Sequence, residues 1–127
     1  MKKLLLGTML IWTFFSCSIK REYTLDFCTN LSLNISCDPG LTTFKPDERF
    51  YVLLECNQPF IEKSITGTFY YIENGTRVNI NSHNVEIKAG ESLSYYYTFF
   101  TKPGVYEIEY TNEKGEIIVT KKLEVKK

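Results

Sequence analysis

The sequence has few of the residues that most catalytic and nucleic-acid-binding sites need. Of its 127 residues only one is histidine, and the 15 basic and 15 acidic side chains cancel to a formal net charge of zero. Proteins that bind nucleic acid cluster Lys and Arg to neutralise phosphates, so nucleic acid is not an expected partner. No Gly-x-Ser-x-Gly or phosphate-binding motif occurs. The sequence therefore predicts no catalytic residue, and a protein that is not an enzyme.

Ligand patterns for metals are also missing. The four cysteines contain no close CxxC pair, and His83 is far from every cysteine in the chain, whereas zinc sites space their Cys and His ligands closely. His83 lies in the polar run 81–84, which predicts a solvated loop histidine. We therefore expect no metal and no cofactor.

No uncharged run is long enough to cross a bilayer, which takes roughly 20 apolar residues. The uncharged stretch 4–15 follows the basic start Met1-Lys2-Lys3 and ends at Ser16-Cys17. A basic start, a short apolar run and a small residue before the boundary are typical of an export signal that is removed.

The residues Phe14-Phe15-Ser16-Cys17 resemble the lipobox of bacterial lipoproteins, with Phe14 standing where Leu is usual. The resemblance implies cleavage before Cys17 and acylation, palmitate included, of that cysteine, whose several acyl chains would anchor the protein stably in a lipid bilayer. It divides the chain into a signal peptide (1–16), a lipidated tether (17–25) and a domain (26–127). The alternative is an ordinary secretory signal in which Cys17 is incidental.

The resemblance also implies a location. An acylated protein of this kind belongs to the bacterial cell envelope, and Ser18, directly after the cysteine, favours the outer membrane or the cell surface. The processed chain would have two fewer lysines, so the lipid would supply the attachment without help from basic side chains.

After the signal, the sequence is organised as strands. No window shows a helical period, and short apolar-alternating runs rich in β-branched and aromatic residues are separated by Gly, Pro and Asn. The runs are 31–36, 50–56, 65–73, 77–81, 85–88, 93–101, 105–111 and 116–125. About seven strands at this spacing predict an all-β sandwich.

A short motif narrows the fold class. Gly104 is followed two residues later by Tyr106 at the start of the penultimate strand. This resembles the tyrosine corner of immunoglobulin-like antiparallel sandwiches, in which the tyrosine hydroxyl bonds to a nearby backbone group. The resemblance implies an immunoglobulin-like β-sandwich.

The cysteines outside the signal allow one disulfide. An exported protein meets an oxidising compartment, and Cys28, Cys37 and Cys56 could form one bridge and leave one thiol. If 28–37 pairs with 49–56 around the turn at 39–47, Cys28–Cys56 is the favoured bridge. The alternative is three buried thiols that act as small apolar side chains.

Aromatic residues on two runs suggest an interaction surface. If Leu93, Tyr95, Tyr97 and Phe99 face the core, then Tyr96 and Phe100 face outward, beside Tyr51 and Leu53 of the neighbouring strand. Apolar surface patches of this kind mark partner sites. The alternative is that residues 18–30 or the 57–64 loop cover the patch Tyr51, Leu53, Tyr96 and Phe100.

Together these observations predict a membrane-anchored lipoprotein whose sandwich is a non-catalytic interaction module of the adhesion or envelope-assembly type. Its partners would be the bilayer, through Cys17, and an unknown protein or glycan. The alternative is an immunoglobulin-like proteinase inhibitor, or an accessory domain of an envelope enzyme, that acts through its end loops.

Overall fold

The structure, a computed structural model, describes residues 20–127. The predicted signal peptide (1–16) and Cys17 therefore lie outside the described residues. Eight strands follow in chain order: β1 (Tyr23–Cys28), β2 (Thr43–Phe44), β3 (Phe50–Cys56), β4 (Ser64–Glu73), β5 (Thr76–Glu86), β6 (Leu93–Thr98), β7 (Gly104–Thr111) and β8 (Ile117–Val125). Within residues 20–127, no helix has the length and apolarity needed to span a membrane.

The strands form two sheets, and the prediction of an all-β sandwich is confirmed. One sheet has the order β1-β3-β6 and the other the order β2-β8-β7-β4-β5. All neighbours are antiparallel except β2 and β8, which run parallel. β3 and β6 are neighbours, as the immunoglobulin-like order requires. The sequence did not predict β1 and β2. The predicted run 77–81 and the first two residues of the run 85–88 belong to one strand, β5.

The first strand lies earlier in the chain than the sequence pattern indicated. β1 begins at Tyr23, three residues before the predicted domain start, and residues 31–36 form a loop instead of a strand. A backbone hydrogen bond from Ile35 to Ser32 closes a turn inside this loop. The alternation of Leu and Ser in 31–36 therefore does not reflect a half-buried strand.

The predicted Cys28–Cys56 disulfide is wrong. Cys28 is bonded to Cys37, nine residues on, and Cys56 is a free, buried thiol. The register of β1 on β3 places Tyr23 opposite Cys56 and Cys28 opposite Tyr51, at the other end of the strand. Cys56 belongs to the core, whereas Cys28 lies on the opposite face of the sheet, so the two sulfur atoms cannot meet.

The core between the sheets is rich in aromatic rings, and burial of such rings is the main stabilising contribution to a domain of this size. It contains buried side chains from both sheets and from two connecting segments. Its members are Leu25, Phe27, Phe44, Phe50, Val52, Leu54, Cys56, Phe60, Ile65, Phe69, Phe100, Tyr106, Ile108, Tyr110, Leu123 and Val125.

The hairpin between β4 and β5 follows from its turn residues. Asn74 and Gly75 both have positive φ, at 52° and 78°, which is the geometry of the tight turn that Asn-Gly favours. β5 is an edge strand of eleven residues. Its register on β4 shifts between Phe69 and Tyr70, so that Ile80 has no partner. This is a β-bulge.

The sandwich has two distinct ends, which the strand directions define. The entry end holds the first described residues, the segment 57–63 and the turn 112–116. The far end holds the β4–β5 turn, the loop 99–103 and the disulfide-closed loop 29–36. Residues 20–22 form hydrogen bonds with Asn57 and Pro59 at the entry end. From there β1 runs to the far end, where it ends at Cys28.

Candidate functional site

A cavity of about 380 Å³ opens at the far end, between β5 and the loop 99–103. The five-stranded sheet extends beyond the three-stranded one, so the inner face of β5 has no strand opposite it there. Val78 and Ile80 are 41% and 46% exposed as a result. The cavity is lined by Tyr71, Glu73, Val78, Ile80, Phe99, Phe100, Thr101, Lys102 and Tyr106. It is largely apolar, with one carboxylate and one ammonium group in its lining.

One wall of this far cavity depends on a glycine. Gly104 has a φ of 147°, and a Cβ atom there would clash with the hydroxyl of Tyr71 and lie 2.7 Å from its Cε1. The Tyr71 ring therefore lies directly over the glycine, and its hydroxyl donates a hydrogen bond to the Pro103 carbonyl at 3.0 Å. The Lys102 ammonium lies 4.3 Å from the centre of the same ring, a cation–π contact.

Tyr106 forms the back of the cavity. Its hydroxyl donates to the Lys102 carbonyl at 2.6 Å, which is the hydrogen bond expected of a tyrosine corner at Gly104 and Tyr106. Its ring stacks on Phe100 with centroids 4.0 Å apart and meets Tyr71 edge-on at 5.1 Å. Burial, and then the nearby Tyr71, raise the pKa of Tyr106, so its phenol stays protonated and can donate.

The predicted patch Tyr51, Leu53, Tyr96 and Phe100 is not formed. Phe100 is in the core and Tyr96 packs against it, while Leu53 is fully buried between Asp26 and Tyr95 in the strand register. The facing of β6 is the reverse of the predicted one, because Tyr96 and Phe100 complete an aromatic cluster around Phe69.

The outward face of β6 carries other aromatic rings instead. Tyr95 and Tyr97 are about half exposed, and both contact Tyr51, with centroids 5.9 and 4.5 Å from it. Phe99 is also exposed and lies under the Arg49 guanidinium at 4.5 Å. Of the predicted patch, only Tyr51 belongs to this surface.

His83 is a strand residue and not the solvated loop histidine that the sequence suggested. Its ring stacks on Tyr96 at 4.0 Å and meets Phe69 edge-on at 5.4 Å. Gly67 opposite provides the room, because a Cβ there would lie 2.7 Å from both the His83 and the Tyr110 rings. Neither ring nitrogen is bonded to a described residue, and burial lowers the pKa of His83. The imidazole is therefore a neutral packing group.

The entry end contains a group of polar side chains that sequence reasoning missed. The Tyr23 hydroxyl donates to the buried Glu62 carboxylate at 2.5 Å, and burial followed by this bond raises the pKa of Tyr23. Arg21 donates to the Pro59 carbonyl at 2.6 Å and lies 3.8 Å from the Cys56 sulfur. These contacts join residues about 35 to 39 positions apart, so no local motif reveals them.

The far cavity was also missed, although a signal for it exists. Its lining comes from four segments, but Phe99, Phe100 and Lys102 directly precede the tyrosine corner that the sequence did reveal. Aromatic residues in a loop next to such a corner are a reason to look for a pocket at that end. Its volume is within the range of about 300–1,000 Å³ that is usual for small-molecule sites.

Solved structures of known proteins share this fold. The chain resembles a superoxide reductase (neelaredoxin) from Ignicoccus hospitalis, with a TM-score of 0.52, 14% identity, and coverage of 83% of this chain and 80% of that one. Two variants of the same enzyme give TM-scores of 0.55 and 0.52 at 16% and 14% identity, with coverage of 87% and 84% of this chain and 85% and 81% of theirs. No family model and no curated protein matches the chain.

These neighbours correct the functional prediction. The sequence predicted a non-catalytic module of the adhesion or envelope-assembly type, with a proteinase inhibitor or an accessory domain as the alternative. It also predicted that the protein is not an enzyme. The finding that the same sandwich is the fold of a superoxide reductase contradicts both expectations. At 14–16% identity the likeness shows the fold alone.

The donor set of this chain does not fit a resident transition-metal centre. Such a centre, which reduction of superoxide by a metal would need, is held by several His, Cys or carboxylate side chains. The chain has one histidine, and no group of three His, Cys, Asp or Glu side chains converges within residues 20–127. His83 is enclosed by aromatic rings, and Cys56 is a buried thiol on a strand of the other sheet.

Proposed function

We propose that the protein is an exported lipoprotein that binds a small, planar, redox-active organic molecule in the far cavity. The observation that carries the proposal is the cavity itself, an apolar and aromatic space of about 380 Å³ with Lys102 and Glu73 in its lining. Aromatic walls with a few charged groups are typical of sites for ring compounds, because the walls bind the ring and the charges orient it.

The redox character of the ligand is proposed from two observations together. The solved structures with this fold are named as superoxide reductases, and the donor set of this chain does not suit a metal centre. A quinone-like ring would supply redox chemistry without metal ligands. Lys102 would pair with a negative group on such a ring, and the walls formed by Phe100 and Tyr106 would exclude water from it.

The lipoprotein part of the proposal is supported by the order of features at the N-terminus. The basic start, the apolar run and the Ser16-Cys17 boundary fit a processed and acylated chain. Lys20 emerges at the entry end, so an anchor at Cys17 would direct the far cavity away from the membrane.

The binding site is tested with anthraquinone-2-sulfonate, a planar, water-soluble quinone that carries one negative charge. Isothermal titration calorimetry of the purified protein should give saturable binding, and Ile80→Asp should abolish it by placing a charge in the apolar wall. The matched control is Leu33→Asp, which puts the same charge on a fully exposed leucine outside the cavity. Equal binding by both variants, or none by the wild type, would refute the site.

The redox part has its own readout. Voltammetry should show that the reduction potential of the quinone shifts when the wild-type protein is added and does not shift with Ile80→Asp. If the quinone binds and its reduction potential does not change, the binding site is supported and the redox role of the site is refuted.

A further inference from the structure

Two exposed isoleucines lie at the entry end. Ile61 is 70% exposed and Ile117 is 59% exposed, although both are large apolar side chains. The segment of Ile61 is joined to the turn 112–116, because the Lys63 backbone N–H donates to the Glu113 carboxylate at 2.9 Å. A cavity of about 390 Å³ between them is lined by Ile61 and by residues of that turn. We call the side chains of Ile61, Lys63, Lys114 and Ile117 the entry surface.

The chain enters the sandwich beside this surface and is held there. Asn57 donates to the Lys20 carbonyl at 2.8 Å and accepts from the Glu22 backbone N–H at 2.9 Å. Arg21 donates to the Pro59 carbonyl, two residues before Ile61. Lys20, the first described residue, therefore lies at the entry end.

The connection from Lys20 back to Cys17 is short. An extended chain covers at most about 3.6 Å per residue, so the Cα atoms of these two residues are at most about 11 Å apart. If the acyl chains on Cys17 are in the bilayer, the entry end is held within that distance of the lipid interface. Amphipathic elements penetrate this interface to about 5–10 Å.

We propose that the entry surface rests on the lipid bilayer, with Ile61 and Ile117 in contact with the interface. This inference depends on the proposed acylation of Cys17. The surface suits a lipid interface because its isoleucines are apolar and because Lys63 and Lys114, which are near them in the chain, are exposed and long enough to contact lipid phosphates.

Two acidic side chains of the turn 112–116 have hydrogen-bond partners within the protein. The Glu113 carboxylate accepts the Lys63 backbone N–H, and that bond is the main cause of its lowered pKa. The Glu116 carboxylate accepts a hydrogen bond from the Asn112 amide at 2.8 Å. Both acids are therefore partnered within the protein.

The experiment uses tryptophan as a reporter. The only tryptophan of the chain is Trp12, inside the predicted signal, so the processed lipoprotein has none and each variant gains a single emitter. The test variant is Ile61→Trp. The matched control is Leu33→Trp in the disulfide-closed loop at the far end, where the native side chain is fully exposed as well.

Both variants are expressed as full-length precursors, purified as processed lipoproteins and reconstituted in phosphatidylcholine–phosphatidylglycerol vesicles with or without lipids that carry a nitroxide near the headgroup. Emission of Ile61→Trp should be blue-shifted and should fall by about twofold or more with the nitroxide lipids, since the interface reaches this depth. Emission of Leu33→Trp should be unchanged.

Mass spectrometry of the same samples separates the two proposals. An unacylated Cys17 would refute the anchor and the inference that depends on it. Acylated protein in which neither tryptophan is quenched would overturn the membrane contact and leave the anchor intact. A blue-shifted but unquenched Ile61→Trp would also overturn it, because the surface would then be covered by protein, such as a second copy of this chain.

Discussion

The two ends of the sandwich are built by different interactions. At the entry end, side chains bond to each other and to the backbone across long sequence distances, as in Tyr23–Glu62 and Arg21–Pro59. At the far end, rings pack on rings around Tyr106, and the hydroxyls of Tyr71 and Tyr106 donate to carbonyls of the loop 99–103. Directional bonds close the first end against the incoming chain. Ring packing beside an overhanging edge strand leaves the second end open as a cavity.

This difference explains why the ends are suited to different roles. The hydrogen bonds of the entry end tie its loops to one another and to the incoming chain, so that end is closed. A cavity with apolar walls gains from any ring that displaces water from it. Changes that weaken one type of interaction should therefore affect one end and spare the other.

The largest expected effect is at the far end. Gly104→Ala introduces a Cβ that meets the Tyr71 ring at a positive φ, so we expect a loss of about 3 kcal/mol in the free energy of unfolding. The control is Gly115→Ala, where φ is 80° but nothing lies within 4 Å of the new atom, and about 1 kcal/mol is expected. Urea denaturation measures both. Equal losses would mean that the Tyr71 contact contributes nothing.

Tyr23→Phe is the corresponding change at the entry end. It leaves the buried Glu62 carboxylate without its 2.5 Å donor, which should cost about 2 kcal/mol. Tyr97→Phe is the control, since that hydroxyl makes no hydrogen bond within residues 20–127 and its loss should be close to zero.

The stability difference between the wild type and Tyr23→Phe should also change at alkaline pH. The pKa of Tyr23 is raised in the folded protein, so the stability that it contributes is fully present below the unfolded pKa of about 10. It is lost as the pH rises from there toward the folded value. The difference between the wild type and Tyr23→Phe should shrink above about pH 10, and a difference that grew would contradict this account.

Tyr106→Phe tests the tyrosine corner with a smaller effect. Loss of the bond to the part-buried Lys102 carbonyl should cost about 1 kcal/mol in chemical denaturation. Tyr71→Phe removes a solvent-exposed hydrogen bond to the Pro103 carbonyl. It should lower the free energy of unfolding by only about 0.3 kcal/mol. A larger loss for Tyr71→Phe than for Tyr106→Phe would mean that the Tyr71 hydrogen bond contributes more to the stability of the far end than the tyrosine corner does.

The smallest effect concerns His83, which lies between the ends. Burial lowers its pKa, and the rings of Tyr96, Phe69 and Tyr110 around it offer no charge. The unfolded chain therefore binds the proton more readily, and stability should fall as the pH drops below the unfolded pKa of about 6.5. His83→Phe should lack this component when the two proteins are compared between about pH 7.5 and 5.5. Parallel curves would show that the imidazole is not desolvated.

The sequence was informative where local chemistry decides the structure. The Asn74-Gly75 turn, the corner at Gly104 and Tyr106, and the alternation in β3 and β7 all correspond to features of the sandwich. These signals are local because a turn or a strand face depends on adjacent residues.

Features that depend on distant contacts were not predictable in the same way. β6 has aromatic residues on both faces, so its hydrophobic pattern does not specify which face is buried. The Cys28–Cys37 bridge and the Tyr23–Glu62 bond depend on a strand, β1, whose register on β3 is set by tertiary packing. The far cavity arises because one sheet is wider than the other, which no single run of residues encodes.

The β-bulge at Ile80 affects whether the exposed edge of β5 can pair with a strand of a neighbouring molecule. β5 offers a long free edge whose only charged residues are Arg77 and Glu86, and such edges are templates for fibre growth. Ile80 interrupts the regular spacing of backbone donors and acceptors along β5. A strand of a neighbouring molecule that is in hydrogen-bonding register with residues 76–79 is therefore out of register with residues 81–86. Many copies can therefore lie close together without their β5 edges pairing into a common sheet.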